Sequence, residues 1–175
     1  MERNTREDTV ERRVPVVAVA CLACAAALTA GADNIRVARQ RGGQVIEIVS
    51  GAGKCLDVHE PDQFNNGGRV QVWQCNGSKQ QEWFLDRDAI RTSAGKCLDV
   101  HSDEQYRDGA RVQIWDCNGM QQQRWEVMDN AIVSGAKKCL DVPGEIQKKD
   151  GAPVQVWQCN GGPPQRWTVR PKKWR

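Results

Sequence analysis

Histidine is nearly absent, with two in 175 residues. Imidazole-centred zinc binding or base chemistry would therefore rest on His59 and His101 alone. Net charge is also small, +3 at pH 7, which is no polyanion-binding signature. No helical period runs through the chain beyond residue 32, so a helical domain is excluded.

What the chain has is repetition, placed after an amino-terminal segment of different character. Met1–Arg13 is charged but balanced, with four Arg against four acids. Val14–Ala30 is apolar apart from Thr29 and shorter than the roughly 20 residues of a membrane span. Ala30-Gly31-Ala32 follows as a small-residue cleavage site, so residues 1–32 read as a secretory signal peptide. The rival reading is a retained signal anchor, against which Pro15 and the length of the run argue. Cys21 and Cys24 read as small apolar filler in that run rather than as a redox pair. After cleavage no stable membrane insertion is expected, and the location is extracellular. Asp33–Gly43 is a polar, Arg-rich arm or linker. Arg170-Pro171-Lys172-Lys173-Trp174-Arg175 reads as a solvated tail, and no nucleic-acid partner is expected.

One short pattern then occurs three times at a step of 42 residues. Its first copy is Lys54-Cys55-Leu56-Asp57-Val58, Val70-Gln71-Val72-Trp73-Gln74-Cys75-Asn76-Gly77 and Gln81-Glu82-Trp83. The second begins at Lys96 and closes with Gln123-Arg124-Trp125; the third begins at Lys138 and closes with Gln165-Arg166-Trp167. A single copy is too short to enclose a core, whereas three together, roughly 130 residues, make a normal domain. Short alternating runs (Ile46–Ser50, Val70–Trp73, Val112–Trp115, Val154–Trp157) lie between Gly, Asn, Asp and Pro, which is strand and turn. Three all-β repeats closed by Q-x-W imply a β-trefoil, a six-stranded barrel capped by three hairpins.

Six cysteines fall within the repeats, as Cys55 and Cys75, Cys97 and Cys117, Cys139 and Cys159. An even count in an exported chain is a disulfide framework. Of the many possible pairings, threefold repetition selects the one that closes each repeat on itself. With no C-x-x-C among them, a structural zinc is not expected, and no cofactor is.

These motifs resemble the ricin B-chain-type lectins, and the carbohydrate-binding modules of secreted bacterial glycosidases look much the same. The resemblance runs from Gly42 to about Arg170, and the lectin domain is placed at residues 44–175. It implies a β-trefoil that binds sugar in shallow pockets, one per repeat, without metal or catalysis. In that family the last Trp of Q-x-W packs in the core, which is the role expected for Trp83, Trp125 and Trp167. Gln81, Gln123 and Gln165 are expected to hold backbone, although in family members this position can also reach ligand.

The residues support a sugar site independently. Side chains alternate along a strand, so Val70 and Val72 take the core and leave Gln71 and Trp73 outside, beside Asp57. A pyranose stacks its C–H face on an aromatic ring and donates its hydroxyls to a carboxylate. The expected sugar-binding residues are Asp57, Gln71, Trp73, Asn76 and Gln80 in the first repeat. In the second they are Asp99, Gln113, Trp115, Asn118 and Gln122, and in the third Asp141, Gln155, Trp157 and Asn160. Family sites usually carry Asn before the Gln of Q-x-W. Here that place holds Gln80, Gln122 and Pro164, and Pro164 offers no side-chain donor, so the third site is expected to be degenerate.

Catalysis needs an asymmetric set of groups, whereas nearly every polar residue here recurs in triplicate; no enzyme activity is expected. The partner is a carbohydrate, be it a galactoside, a xylan-like polymer or another glycan. The alternative is a protein-binding trefoil, a protease inhibitor or a targeting subunit, although no repeat carries an inserted loop.

Overall fold

The computed structural model describes residues 43–173. The expected signal peptide, Cys21, Cys24, nearly all of the arm, Trp174 and Arg175 lie outside them. The first repeat forms β1 (Ile46–Ser50), β2 (Cys55–Val58), β3 (Gly68–Trp73) and β4 (Trp83–Asp86). The second forms β5 (Ala89–Thr92), β6 (Cys97–Val100), β7 (Ala110–Trp115) and β8 (Trp125–Val127). The third forms β9 (Ile132–Ser134), β10 (Cys139–Asp141), β11 (Ala152–Pro153), β12 (Gln155–Trp157) and β13 (Trp167–Pro171).

Antiparallel pairs β1–β13, β4–β5 and β8–β9 build the barrel wall, and β1 also meets β4. The hairpins β2–β3, β6–β7 and β10–β12 cap it, and they join each other through β3–β7, β7–β12 and β11–β3. This is the β-trefoil that the sequence predicts.

Its core is three stacked copies of the same choices. Ile48, Ile90 and Ile132 form one set, Leu56, Leu98 and Leu140 another, and Val72, Ile114 and Val156 a third, all buried. Trp83, Trp125 and Trp167 close each repeat from inside, as expected. Each donates its indole N–H to a backbone carbonyl, on Leu56 at 2.9 Å, Leu98 at 2.9 Å and Leu140 at 2.8 Å. A buried tryptophan needs such a partner, and the bond locks the end of the repeat to its opening strand.

The disulfides join Cys55 to Cys75, Cys97 to Cys117 and Cys139 to Cys159, as threefold repetition requires. Each closes a loop of 20 residues, which contributes roughly 3 kcal/mol by restricting the unfolded chain.

Two expectations are corrected. The third run, expected over Val154–Trp157, is strand only over Gln155–Trp157 (β12), and Val154 falls in the break between it and β11. Residues 170–172 are not a solvated tail. β13 runs antiparallel to β1, which brings Arg170 onto Glu47 (3.2 Å) and Lys172 onto Glu82 (2.8 Å).

Trp83→Phe keeps most of the apolar volume but strands the Leu56 carbonyl in the core. The expected loss is about 1–3 kcal/mol, read as a lowered thermal midpoint with three disulfides still present. An unchanged midpoint would show that the indole bond is not structural.

Candidate functional site

Strand alternation sets each pocket. On β3, Val70 and Val72 are buried in the core, and Arg69, Gln71 and Trp73 share the opposite face. β2 places Cys55 across from Trp73 and Asp57 across from Gln71. Trp73 is 39% exposed, as is Trp115, and Trp157 is 40% exposed.

Gln71 departs from the open position expected for it and is buried. Its Nε2 is drawn down onto Asp57 Oδ1 at 2.8 Å, and Gln81 Nε2 donates to Asp57 Oδ2 at 3.2 Å. Burial pushes the Asp57 carboxyl above the ordinary value of 3.8, against the pull of these two amides and of His59. A carboxylate accepts roughly four hydrogen bonds, so two amide donors orient Asp57 and leave it capacity for a ligand.

Gln81 is the hinge of the arrangement. It also donates to the Gln74 carbonyl at 2.9 Å, and its Oε1 accepts from the backbone N–H of Asn76 at 3.0 Å. Asn76 Oδ1 accepts in turn from Ser78 N–H at 2.9 Å, so what its side chain can offer outward is the NH2 group. Asp57, Gln71, Trp73, Asn76 and Gln80 all line one cavity of about 580 Å³, together with Gly151 from the third repeat. A second cavity of about 570 Å³, beside Met120 and Arg124, contains none of the expected residues.

The second repeat has the same core geometry. Gln113 Nε2 reaches Asp99 Oδ1 at 2.9 Å and Gln123 Nε2 reaches Asp99 Oδ2 at 3.0 Å, and burial raises the Asp99 pKa. Asn118 and Gln122 hold the places of Asn76 and Gln80. Its rim is less well tied. In the first repeat His59 Nδ1 meets Asp62 at 2.9 Å and Gln80 Nε2 donates to Gln63 Oε1 at 3.4 Å. The corresponding atoms, His101 Nδ1 and Gln105 Oε1, are buried without a hydrogen-bond partner among the described residues. Glu104 stands where the first repeat has Asp62.

The third repeat is altered. Gln155 Nε2 still reaches Asp141 Oδ1 at 2.8 Å, but the Gln165 amide bonds the Gln158 carbonyl (2.9 Å) and not Asp141. Pro143 has no N–H to match the bonds from His59 and His101 N–H to the Arg69 and Arg111 carbonyls (3.0 Å each). The hairpin therefore ends one residue early, at Asp141; Val142 N–H donates to the Pro164 carbonyl at 3.1 Å. Trp157 remains exposed and Asn160 Oδ1 accepts from Gly162 N–H at 2.8 Å.

Every pocket also borrows from the preceding repeat. Asn66-Gly67, Asp108-Gly109 and Asp150-Gly151 turn at glycines with φ of 81°, 82° and 80°, the left-handed region that favours glycine. A Cβ on Gly151 would sit 3.6 Å from the Trp73 ring, and one on Gly109 3.7 Å from the Trp157 ring. Asp150 holds this turn in place by accepting from Lys54 Nζ and from Gln74 N–H, both at 2.7 Å. Asp108 does the same with Lys138 and Gln158 N–H, again both at 2.7 Å.

At the remaining junction the roles are exchanged. Asn66 lacks a carboxylate, and Asp116, in the place of Gln74, supplies it. Lys96 Nζ donates to Asp116 Oδ1 at 2.6 Å, and Asn66 Nδ2 to Asp116 Oδ2 at 2.8 Å. The lysine pairing lowers the carboxyl pKa of Asp108, Asp116 and Asp150 alike. Sequence reasoning missed these clamps, although the N-G and D-G pairs recur at the repeat step.

A β-trefoil with an exposed tryptophan beside an amide-held carboxylate in each repeat is the architecture of a lectin domain. Residues 44–167 match the family model of the ricin-type β-trefoil lectin domain, and the chain belongs to that family. No curated protein matches the sequence. Among solved structures, the designed threefold-symmetric protein ThreeFoil is 28% identical with a TM-score of 0.63, over 73% of this chain and 98% of its own. An exo-β-1,3-galactanase from Clostridium thermocellum is 28% identical with a TM-score of 0.67, over 75% of this chain and only 31% of the enzyme. The C-half of an earthworm R-type lectin, solved with GalNAc, has the same fold at 21% identity and a TM-score of 0.62, over 74% of this chain and all of that one. Family membership supports carbohydrate binding.

The exchanged clamp makes a sharp test. Asp150→Asn should cost about 0.5–1 kcal/mol. Adding Gln74→Asp, which copies the Asn66–Asp116 arrangement, should restore the thermal midpoint. A double variant no more stable than the single one would show that the exchange is not compensating.

Proposed function

We propose that the chain is a secreted, non-catalytic lectin module with up to three shallow sugar sites, the first two stronger than the third. One observation carries this reading: Trp73 and Trp115 stand exposed beside carboxylates already oriented by two amides. The ring offers a stacking plate, and Asp57 or Asp99 accepts the hydroxyls on the sugar's rim. Asn76 and Gln80, with Asn118 and Gln122, supply amide donors at the edge of each pocket. The third repeat keeps Trp157, Asp141, Gln155 and Asn160 but has lost one amide from its carboxylate and has proline at position 164. Three disulfides suit an oxidising compartment, in keeping with export. Galactose-configured glycans are the first ligands to try, since the similar galactanase acts on galactan.

A pocket with one stacking ring binds a monosaccharide at about millimolar Kd, near −4 kcal/mol. Polymers that span two sites gain about 10² in avidity. Calorimetry should show this gap, and equal affinity for the monosaccharide and the polymer would refute the multivalent reading. Asp57→Ala and Asp99→Ala should each weaken polymer retention in affinity electrophoresis, with Asp141→Ala weakest in effect. Loss of all binding in Asp141→Ala alone would reverse the ranking.

Acid should separate binding from folding. The Asp57 and Asp99 carboxyls are held above 3.8 by burial, so on lowering the pH they protonate first and stop accepting hydroxyls. The folded state gains protons there more readily than the unfolded chain, so this step does not unfold the protein. The clamp aspartates are held below 3.8; their stabilisation is present above that value and is lost only as the pH falls through the lower folded values. Sugar binding should therefore fade at a higher pH than the circular-dichroism signal. Simultaneous loss of both would contradict the assignment.

A further inference from the structure

Arg69 has no part in the pocket chemistry described so far. It lies on the pocket face of β3, exposed, two residues before Gln71 and four before Trp73, and it lines the first cavity. Among the described residues its guanidinium makes no hydrogen bond or ion pair, unlike those of Arg91, Arg124 and Arg170, which meet Asp86, Asp88 and Glu47.

Strand register gives Arg69 a second neighbour. It stands opposite Gln113 of β7, the amide that holds Asp99 in the second site. The equivalent residue of the second repeat is Arg111, also exposed, which donates from Nη2 to Gln113 Oε1 at 2.9 Å. Two guanidiniums thus flank the first two candidate sites, and one of them is bonded into the chain Arg111–Gln113–Asp99. The third repeat has Pro153 at this place, opposite Gln71.

The acids around Arg69 do not neutralise it. Asp57 is buried and engaged with two amides, and Asp62 faces His59. Glu60 is the remaining carboxylate on the cavity wall, and it is not bonded to Arg69; Ser102 replaces it in the second repeat. A neutral sugar gains little from a guanidinium, whereas a carboxylate or sulfate matches its planar fork of donors.

We propose that the first two sites prefer sugars bearing an oxyanion, a uronic carboxylate or a sulfate ester, with Arg69 and Arg111 as the residues that determine this preference. The inference rests on the sugar-binding reading above. It makes the third site, with Pro153, indifferent to charge.

The test uses the full chain with a neutral galactan, its sulfated derivative and polygalacturonate. Wild type should hold one or both anionic polymers about ten-fold more tightly than the neutral one, the value of one charge-assisted hydrogen bond. Which of the two is held names the oxyanion. The preference should shrink as salt rises. The Arg69→Gln variant should lose the first site's share of it while keeping its affinity for neutral galactan and its thermal midpoint, and adding Arg111→Gln should remove the remainder. Equal affinity of wild type for neutral and anionic polymers would overturn the inference and leave the lectin reading intact. A preference that survives in the double variant would also overturn it, placing the anion at other basic residues such as Lys173. Binding to no polymer at all, or anionic binding untouched by Trp73→Ala/Trp115→Ala, would overturn both readings.

Discussion

The site depends on a fully buried amide. Gln81 has no water to bond to, so each of its polar atoms must find a partner in the protein. It finds them at Asp57 on β2, at the end of β3 and in the loop that follows, and so draws three separate segments onto one point. Gln123 does the same in the second repeat. The carboxylate is thereby oriented beside the exposed tryptophan. Burial, which raises the cost of ionising Asp57, is the consequence of the same packing.

No pocket belongs to one repeat alone. The glycine turn that borders Trp73 comes from the third repeat, and the aspartate that secures it is bonded to Lys54 and the backbone after Trp73. The chain thus closes in a ring of three clamps, in which each repeat steadies the next one's site. The exchange of Asn66 and Asp116 shows what the junction requires: one carboxylate within reach of the lysine and one acceptor for the backbone N–H. Which strand supplies the carboxylate is immaterial.

Proline breaks the symmetry. Pro143 cannot extend the hairpin ladder, and Pro164 stands where the other repeats have a side-chain amide. The third repeat still packs Leu140, Val142 and Trp167 as the others do, because the core contacts are apolar and indifferent to the lost N–H groups. Fold and site therefore respond differently to the same substitutions. The barrel tolerates them, and the pocket does not keep its full set of donors.

The threefold step, the alternation of Val70 and Val72 with Gln71 and Trp73, and the pairing of six cysteines were legible because each is a local rule repeated three times. They determine the fold class, the disulfides and the meeting of Asp57, Gln71 and Trp73 in one cavity, whereas the core role of Trp83, Trp125 and Trp167 and the place of Gln80 in that cavity followed from the family resemblance. Periodicity could not show that Gln71 is pulled under the surface, since alternation gives a side chain's direction and not the partner that draws it in. Nor could it show that Lys172 pairs with Glu82, that Asp150 braces the pocket of another repeat, or that Arg69 stands between two sites. Those contacts join residues tens of positions apart, and closure of the barrel alone brings them within hydrogen-bonding distance.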